Sequence, residues 1–168
     1  MDVLIVDGYN IIGAWEPLKR LREKDFGQAR DRLIDLLADY QAFTGMKVII
    51  VFDAHYVPGK SSKQKAYNLE VIFTKENETA DECIEKLVTE YKNVQTDVYV
   101  ATSDFLEQRI TFGRGALRKS ARELWIELQT IEKEIDEKVE EQIVNNPTLK
   151  TVLNKDIINA FEKWRRGK

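Results

Sequence analysis

Cysteine and histidine are almost missing from this sequence: it has one of each, Cys83 and His55. A single cysteine excludes an internal disulfide and a cysteine-rich zinc centre, and one histidine is more often structural or incidental than a ligand. Only three prolines and eight glycines occur, so no Pro- or Gly-rich linker divides the chain. Long apolar runs are absent too. The longest, such as residues 48–52, are strand-sized and far too short to span a bilayer. Met1-Asp2 leads at once into an apolar strand and leaves no room for a signal peptide, so the expectation is a cytoplasmic protein with no membrane partner. An excess of positive charge is also lacking. The net charge of −3 argues against indiscriminate binding of polyanions.

What is present, 43% hydrophobic and 33% charged over 168 residues, suits one soluble domain with a substantial core. Its charges are unevenly spread. Residues 109–122 carry Arg109, Arg114, Arg118, Lys119 and Arg122 with no acid among them, whereas residues 127–141 hold seven acids against two lysines. A basic face on an acidic molecule is therefore expected. Residues 57–65, with Pro58, Gly59, Lys60, Lys63 and Lys65, read as a mobile basic loop that either faces phosphate or is plain solvated surface.

Residues 3–10, Val-Leu-Ile-Val-Asp-Gly-Tyr-Asn, begin as an unbroken β-favouring run, which fits a strand covered on both faces. Residues 47–52, 69–74 and 98–102 read as three further strands. Between them lie helical patterns: residues 27–44, with Leu33, Leu36, Leu37, Tyr40 and Phe43 on one face and Gly45 as the stop, and residues 80–91, with Ala80, Cys83, Ile84, Leu87, Val88 and Tyr91 inward. Thr79 and Glu82 form a capping-box signature ahead of the second helix. Residues 11–26 read as a loop or short helical turn, and residues 116–144 as one long helix ended by Asn145-Asn146-Pro147. A last amphipathic helix carries Ile157, Ile158, Phe161 and Trp164. Strands alternating with helices at this spacing predict βαβ units and a mostly parallel sheet.

Three of those strands end in an acid. Asp7, Asp53 and Asp104 thus fall at the carboxyl edge of the sheet, where open α/β folds bind ligands, and Asp81 heads a helix at the same edge. Each has a structural explanation as a turn, a cap or a dipole partner. Together they put four carboxylates on one edge. Such a cluster, without His or Cys, suits Mg²⁺ or Mn²⁺, which would relieve the mutual repulsion, orient a water and neutralise a phosphoryl group under in-line attack. The basic stretch 109–122 is what a nucleic-acid backbone would require, and Phe112-Gly113-Arg114-Gly115 within it could approach a phosphate closely.

Asp-Gly-Tyr-Asn at 7–10, Phe-Asp-Ala at 52–54, Glu-Thr-Ala-Asp at 78–81 and Thr-Ser-Asp at 102–104 resemble the NYN branch of PIN-like nucleases. Gly-Arg-Gly-Ala-Leu-Arg-Lys-Ser at 113–120 is similar to the bacterial YacP-like group in particular. The resemblance runs in order over residues 1 to about 125. It implies a three-layer α/β/α PIN-like fold for a single domain over 1–168, with a nuclease core at 1–125 and a helical extension at 126–168. It also implies Mg²⁺-dependent endoribonuclease activity and, more loosely, association with the ribosome and cleavage of translated mRNA. Carried over by position, Asp7, Asp81 and Asp104 are expected to bind metal, and Asn10 to hold a phosphate or a metal-bound water. Asp53 corresponds to an acid of related FEN-like nucleases, and Glu78 and Glu82 are outer candidates. The chain departs from the pattern once. Where some NYN nucleases carry an acid one turn after the equivalent of Asp104, position 108 is Gln108, with Glu107 beside it.

The main alternative is an RNA- or ribosome-binding factor that keeps the fold but does not cut. A response-regulator-like phosphoacceptor needs a paired acid after the first strand and a lysine ending a late strand, and neither is present. A dehalogenase-type phosphatase needs a second Asp two residues after Asp7, where Tyr9 stands.

Overall fold

The computed structural model describes residues 1–54, 63–66, 68–145 and 163–165, with residues 63–66 described through their backbone. The chain divides into two compact units, residues 1–126 and 127–168.

In the first unit, β1 (Val3–Asp7) runs directly into α1 (Gly8–Ala14), followed by α2 (Glu16–Lys24), α3 (Phe26–Thr44) and β2 (Lys47–Phe52). Then come β3 (Lys63–Ala66), β4 (Leu69–Phe73), α4 (Ala80–Tyr91), β5 (Val98–Ala101), α5 (Phe105–Gly113) and β6 (Leu117–Lys119). α6 (Ala121–Asn145) gives its first residues to this unit and the remainder to the second. The sheet order is β3-β4-β2-β1-β5-β6. All neighbours pair in parallel except β3 with β4.

β1 is buried along its whole length, as an apolar run flanked by parallel neighbours on both sides should be. Its residues alternate between two layers. Val3 and Ile5 join Ile49, Val51, Val98 and Val100 under Cys83, Ile84, Leu87 and Val88 of α4. Leu4, Val6 and Ile50 point the other way, toward the layer of α1 and α3. This is the expected three-layer α/β/α arrangement with a mostly parallel sheet.

Gly8 makes the turn from β1 into α1 possible. A Cβ there would lie 2.3 Å from Cε1 of Phe52, so only a bare backbone can pass over that ring. Gly45, at φ 75°, ends α3 in the left-handed conformation that glycine adopts without strain.

Four sequence expectations change. The stretch 11–26 is helical: Trp15 separates α1 from α2 in extended conformation, and Pro17 sits in the first turn of α2, where it needs no hydrogen-bond partner. The long helix begins at Ala121 rather than at 116, because residues 117–119 form the edge strand β6. Part of the basic loop, residues 63–66, is a strand, added antiparallel beside β4. Phe43, assigned to the inward face of α3, is exposed.

In the second unit Leu128 and Ile131 are buried, and Arg165 pairs with Asp136. The last predicted helix lies outside the described residues, apart from residues 163–165. Among the described residues no helix is long and apolar enough to cross a membrane.

Candidate active site

Because β1, β2, β4 and β5 are parallel, their carboxyl ends share one edge. Asp7 is the last residue of β1, Asp81 the second of α4 and Glu107 the third of α5. One carboxylate oxygen from each lies within 4.8 Å of the other two. Asp7 and Glu107 are buried, and Asp81 is half-buried at the opening.

Asp53 and Asp104, also picked from the sequence, serve the two helices that deliver Asp81 and Glu107. Asp53 Oδ2 accepts from the backbone N–H of Ala80 at 3.2 Å, tying the end of β2 to the start of α4. Thr79 caps the same helix, accepting from the N–H of Glu82. Asp104 caps α5, its Oδ1 accepting from the N–H groups of Leu106 and Glu107 at 3.0 and 3.4 Å. Among the described residues, then, Asp7 and Asp81 meet with Glu107, whereas Asp53 and Asp104 anchor α4 and α5 beside them.

Thr102, fully buried, sits between two of the carboxyls. Its hydroxyl lies 3.4 Å from Asp7 Oδ2 and 3.2 Å from Glu107 Oε2, and its single proton can serve one of them at a time. The same oxygen accepts from the N–H of Asp104. Asn10 Oδ1 accepts from both the N–H and the hydroxyl of Ser103, at 2.7 and 2.8 Å, which fixes the Asn10 side chain across the β5–α5 junction. Gln108 turns away from the cluster and donates to the carbonyl of Thr102 at 2.6 Å.

Burial pushes the Asp7 carboxyl up to about 6, with the Asp81 charge adding to the effect and hydrogen bonds from Glu107, Thr102 and the backbone of Asn10 opposing it. Burial and then the Asp7 charge hold Glu107 well above the usual carboxylate range. The two carboxyls therefore resist being ionised together. Glu107 Oε1 is buried with no hydrogen-bond partner. An oxygen-only donor set of mutually repelling carboxyls with an unpaired buried oxygen fits a hard divalent cation, which would favour their ionised forms and satisfy that oxygen.

The basic residues fall on three elements. Arg109 is exposed on α5, Arg114 ends that helix 3.8 Å from Glu85, Arg118 is exposed on β6, and Arg122 lies exposed in the first turn of α6. Lys119 is half-buried, its Nζ 5.3 Å from the Tyr99 ring centre and 3.4 Å from the Tyr40 hydroxyl. Lys60 lies outside the described residues, as does the side chain of Lys63.

Residues 4–166 match the YacP-like NYN domain. The chain belongs to that family. A YacP-like NYN domain is of nuclease type, which makes this protein a nuclease-type hydrolase by family. It is 54% identical over 167 residues to the uncharacterized protein YacP of Bacillus subtilis (strain 168), covering 99% of this chain and 98% of the relative. It is also similar to the crystal structure of Rae1 (YacP) from Bacillus subtilis, with a TM-score of 0.81 over 99% of this chain and 96% of that one. A crystal structure of its W164L mutant matches at a TM-score of 0.75, over 83% of this chain and 82% of that one. Glu107 is the acid of this cluster that a search for acids at strand ends passes over. Its signal was the spacing: an acid three residues after a helix cap faces back toward the capped end.

Proposed function

We propose that the protein is a cytoplasmic, Mg²⁺- or Mn²⁺-dependent endoribonuclease that hydrolyses RNA phosphodiester bonds, acting on mRNA at the ribosome. The observation that carries this reading is the meeting of Asp7, Asp81 and Glu107 within 4.8 Å in a family of nuclease type. These three carboxylates would hold the cation, with Asp104 contributing through the position it gives to α5. When bound, a divalent cation activates a water and neutralises the phosphoryl oxygens under attack.

The chain's own residues have distinct tasks. Glu107 would hold the cation through its ionised carboxylate, while Thr102 turns its hydroxyl toward whichever carboxylate accepts it. Asn10, its carbonyl oxygen engaged by Ser103, directs its amide N–H₂ to a non-bridging phosphate oxygen. Arg109, Arg114, Arg118 and Arg122 contact backbone phosphates, with Lys60 and Lys63 from the preceding segment and Lys119 in a supporting role.

The deciding experiment is cleavage of an RNA oligonucleotide with Mg²⁺, Mn²⁺ or chelator by wild type, Asp7→Asn and Asp81→Asn. Cleavage by wild type alone, lost with chelator, is the expected result. Equal cutting by the Asn variants would remove the acidic centre from the reaction. Co-sedimentation with ribosomes, together with no cutting of either naked or ribosome-bound mRNA, would favour a non-catalytic binding factor instead.

A further inference from the structure

α5 is built inside out. Its two buried side chains are polar, Glu107 and Thr111, and four large apolar ones face solvent. Phe105 is 71% exposed, Leu106 63%, Ile110 38% and Phe112 69%. A surface helix normally buries its apolar stripe, and solvent-facing aromatics on a nine-residue helix contribute nothing to the core. Phe105, Arg109 and Phe112 follow one another at i, i+4 and i+7, so they share one stripe of the helix, with Arg109 at the position between the two phenylalanines. The stripe extends roughly 10 Å along the axis, enough for two or three unpaired bases. Glu107, on the same helix, belongs to the acidic centre.

We propose that Phe105, Arg109 and Phe112 form a base-stacking strip that positions the RNA strand entering the acidic centre. The inference rests on the endoribonuclease reading and adds to it the residues that grip the bases rather than the phosphates. Aromatic faces accept any base, so the strip fixes strand geometry without dictating sequence. Arg109 matches the charge of the backbone between stacked bases and can itself lie against a base plane. Within α5 the one acid, Glu107, is turned inward, and the exposed Asp104 beside Phe105 is engaged as the helix cap.

The strip is tested by binding, apart from cutting. In an Asp7→Asn background, a single-stranded RNA carrying 2-aminopurine is titrated against Phe105→Ala/Phe112→Ala and against Phe105→Trp/Phe112→Trp. The Ala pair is expected to lose roughly tenfold or more in affinity and to abolish the fluorescence quenching that stacking produces. The Trp pair should retain both. Replacing the bases by abasic units in the same oligonucleotide should erase the difference between wild type and the Ala pair.

Equal losses on abasic and base-bearing strands, or no loss at all, would overturn the proposal. So would a lowered melting temperature of the Ala pair, which would mean that the protein itself covers this face. Loss of self-association in sedimentation with RNA binding unchanged would assign the face to a second copy. Metal-dependent cutting that ignores the Ala pair leaves the endoribonuclease reading standing and removes the strip. Phe-dependent stacking on a chain that never cuts does the reverse.

Discussion

α4 and α5 follow strands at the same edge of the same sheet, and each is held by a side-chain cap and delivers one acid to the same centre. Their faces are nevertheless opposite. α4 turns Cys83, Ile84, Leu87 and Val88 into the core and leaves Asp81 at the opening. α5 turns Glu107 inward and leaves its phenylalanines outside. One helix is held by the hydrophobic effect. The other is held at its start by Asp104, Thr102 and Gln108, and its inward face is a carboxyl whose burial is costly until something positive joins it.

The largest expected effect concerns what the two helices share. Asp81→Asn on α4 and Glu107→Gln on α5 should each cut metal-dependent RNA cleavage by about a hundredfold or more, as losing a carboxylate from a metal site implies. Asp104→Ser, which keeps a capping oxygen, should cost far less. If Asp104→Ser is as damaging as Glu107→Gln, the acid of the cap is itself part of the reaction.

Stability should separate the helices next. Leu87→Ala or Ile84→Ala on α4 is expected to lower unfolding free energy by about 2–5 kcal/mol in denaturant melts. Leu106→Ala on α5 should change it by less than about 0.5 kcal/mol. Equal costs would mean that the apolar side of α5 is covered after all.

A pH series sharpens the contrast further. Asp7 has its carboxyl raised to about 6 by burial, so the folded chain holds that proton more tightly than the unfolded chain does. Its stabilising contribution is complete below the ordinary carboxylate range, near 3.8, and is lost as pH rises through about 6. Glu107 shifts in the same direction. The metal-free protein should therefore melt at a lower temperature at pH 8 than at pH 5, with the difference reduced by Glu107→Gln or by added Mg²⁺. A melting temperature that rises over this range would contradict the raised carboxyls of Asp7 and Glu107.

The smallest effect expected is at the caps. Thr79→Ala should cost about 1 kcal/mol by loss of one bond to the N–H of Glu82. An unchanged melt would show that Asp53, through Ala80, holds α4 alone.

The same contrast explains what the sequence could reveal. The apolar residues of β1, β2, α3 and α4 repeat at the period of their element because burial demands it, and those elements were readable almost to their ends. α5 offers the opposite signal: its apolar residues face water, so periodicity pointed nowhere and the region read only as basic. β6, three residues at a sheet edge, is too short to show a period. In 11–26, Trp15 and Pro17 looked like a loop because the break between two helices and the start of the second share the same residues. Of the clustered acids, Asp7 and Asp81 were visible by position; Asp104 was visible for the same reason and caps α5, while Glu107, in the first turn of that helix, was noted only as the neighbour of Gln108.

The central position of β1 has a temporal consequence. Asp7 is made early, but Thr102, which bridges its carboxyl to Glu107, follows 95 residues later, and β5 must pair with β1 to bring the two together. At roughly 5–20 residues per second, a growing chain spends several seconds or more holding only Asp7 and then Asp81. The three-acid centre cannot exist during that interval. The order in which the chain is synthesised thus delays assembly of the three-acid cluster until β5 and the start of α5 have been made.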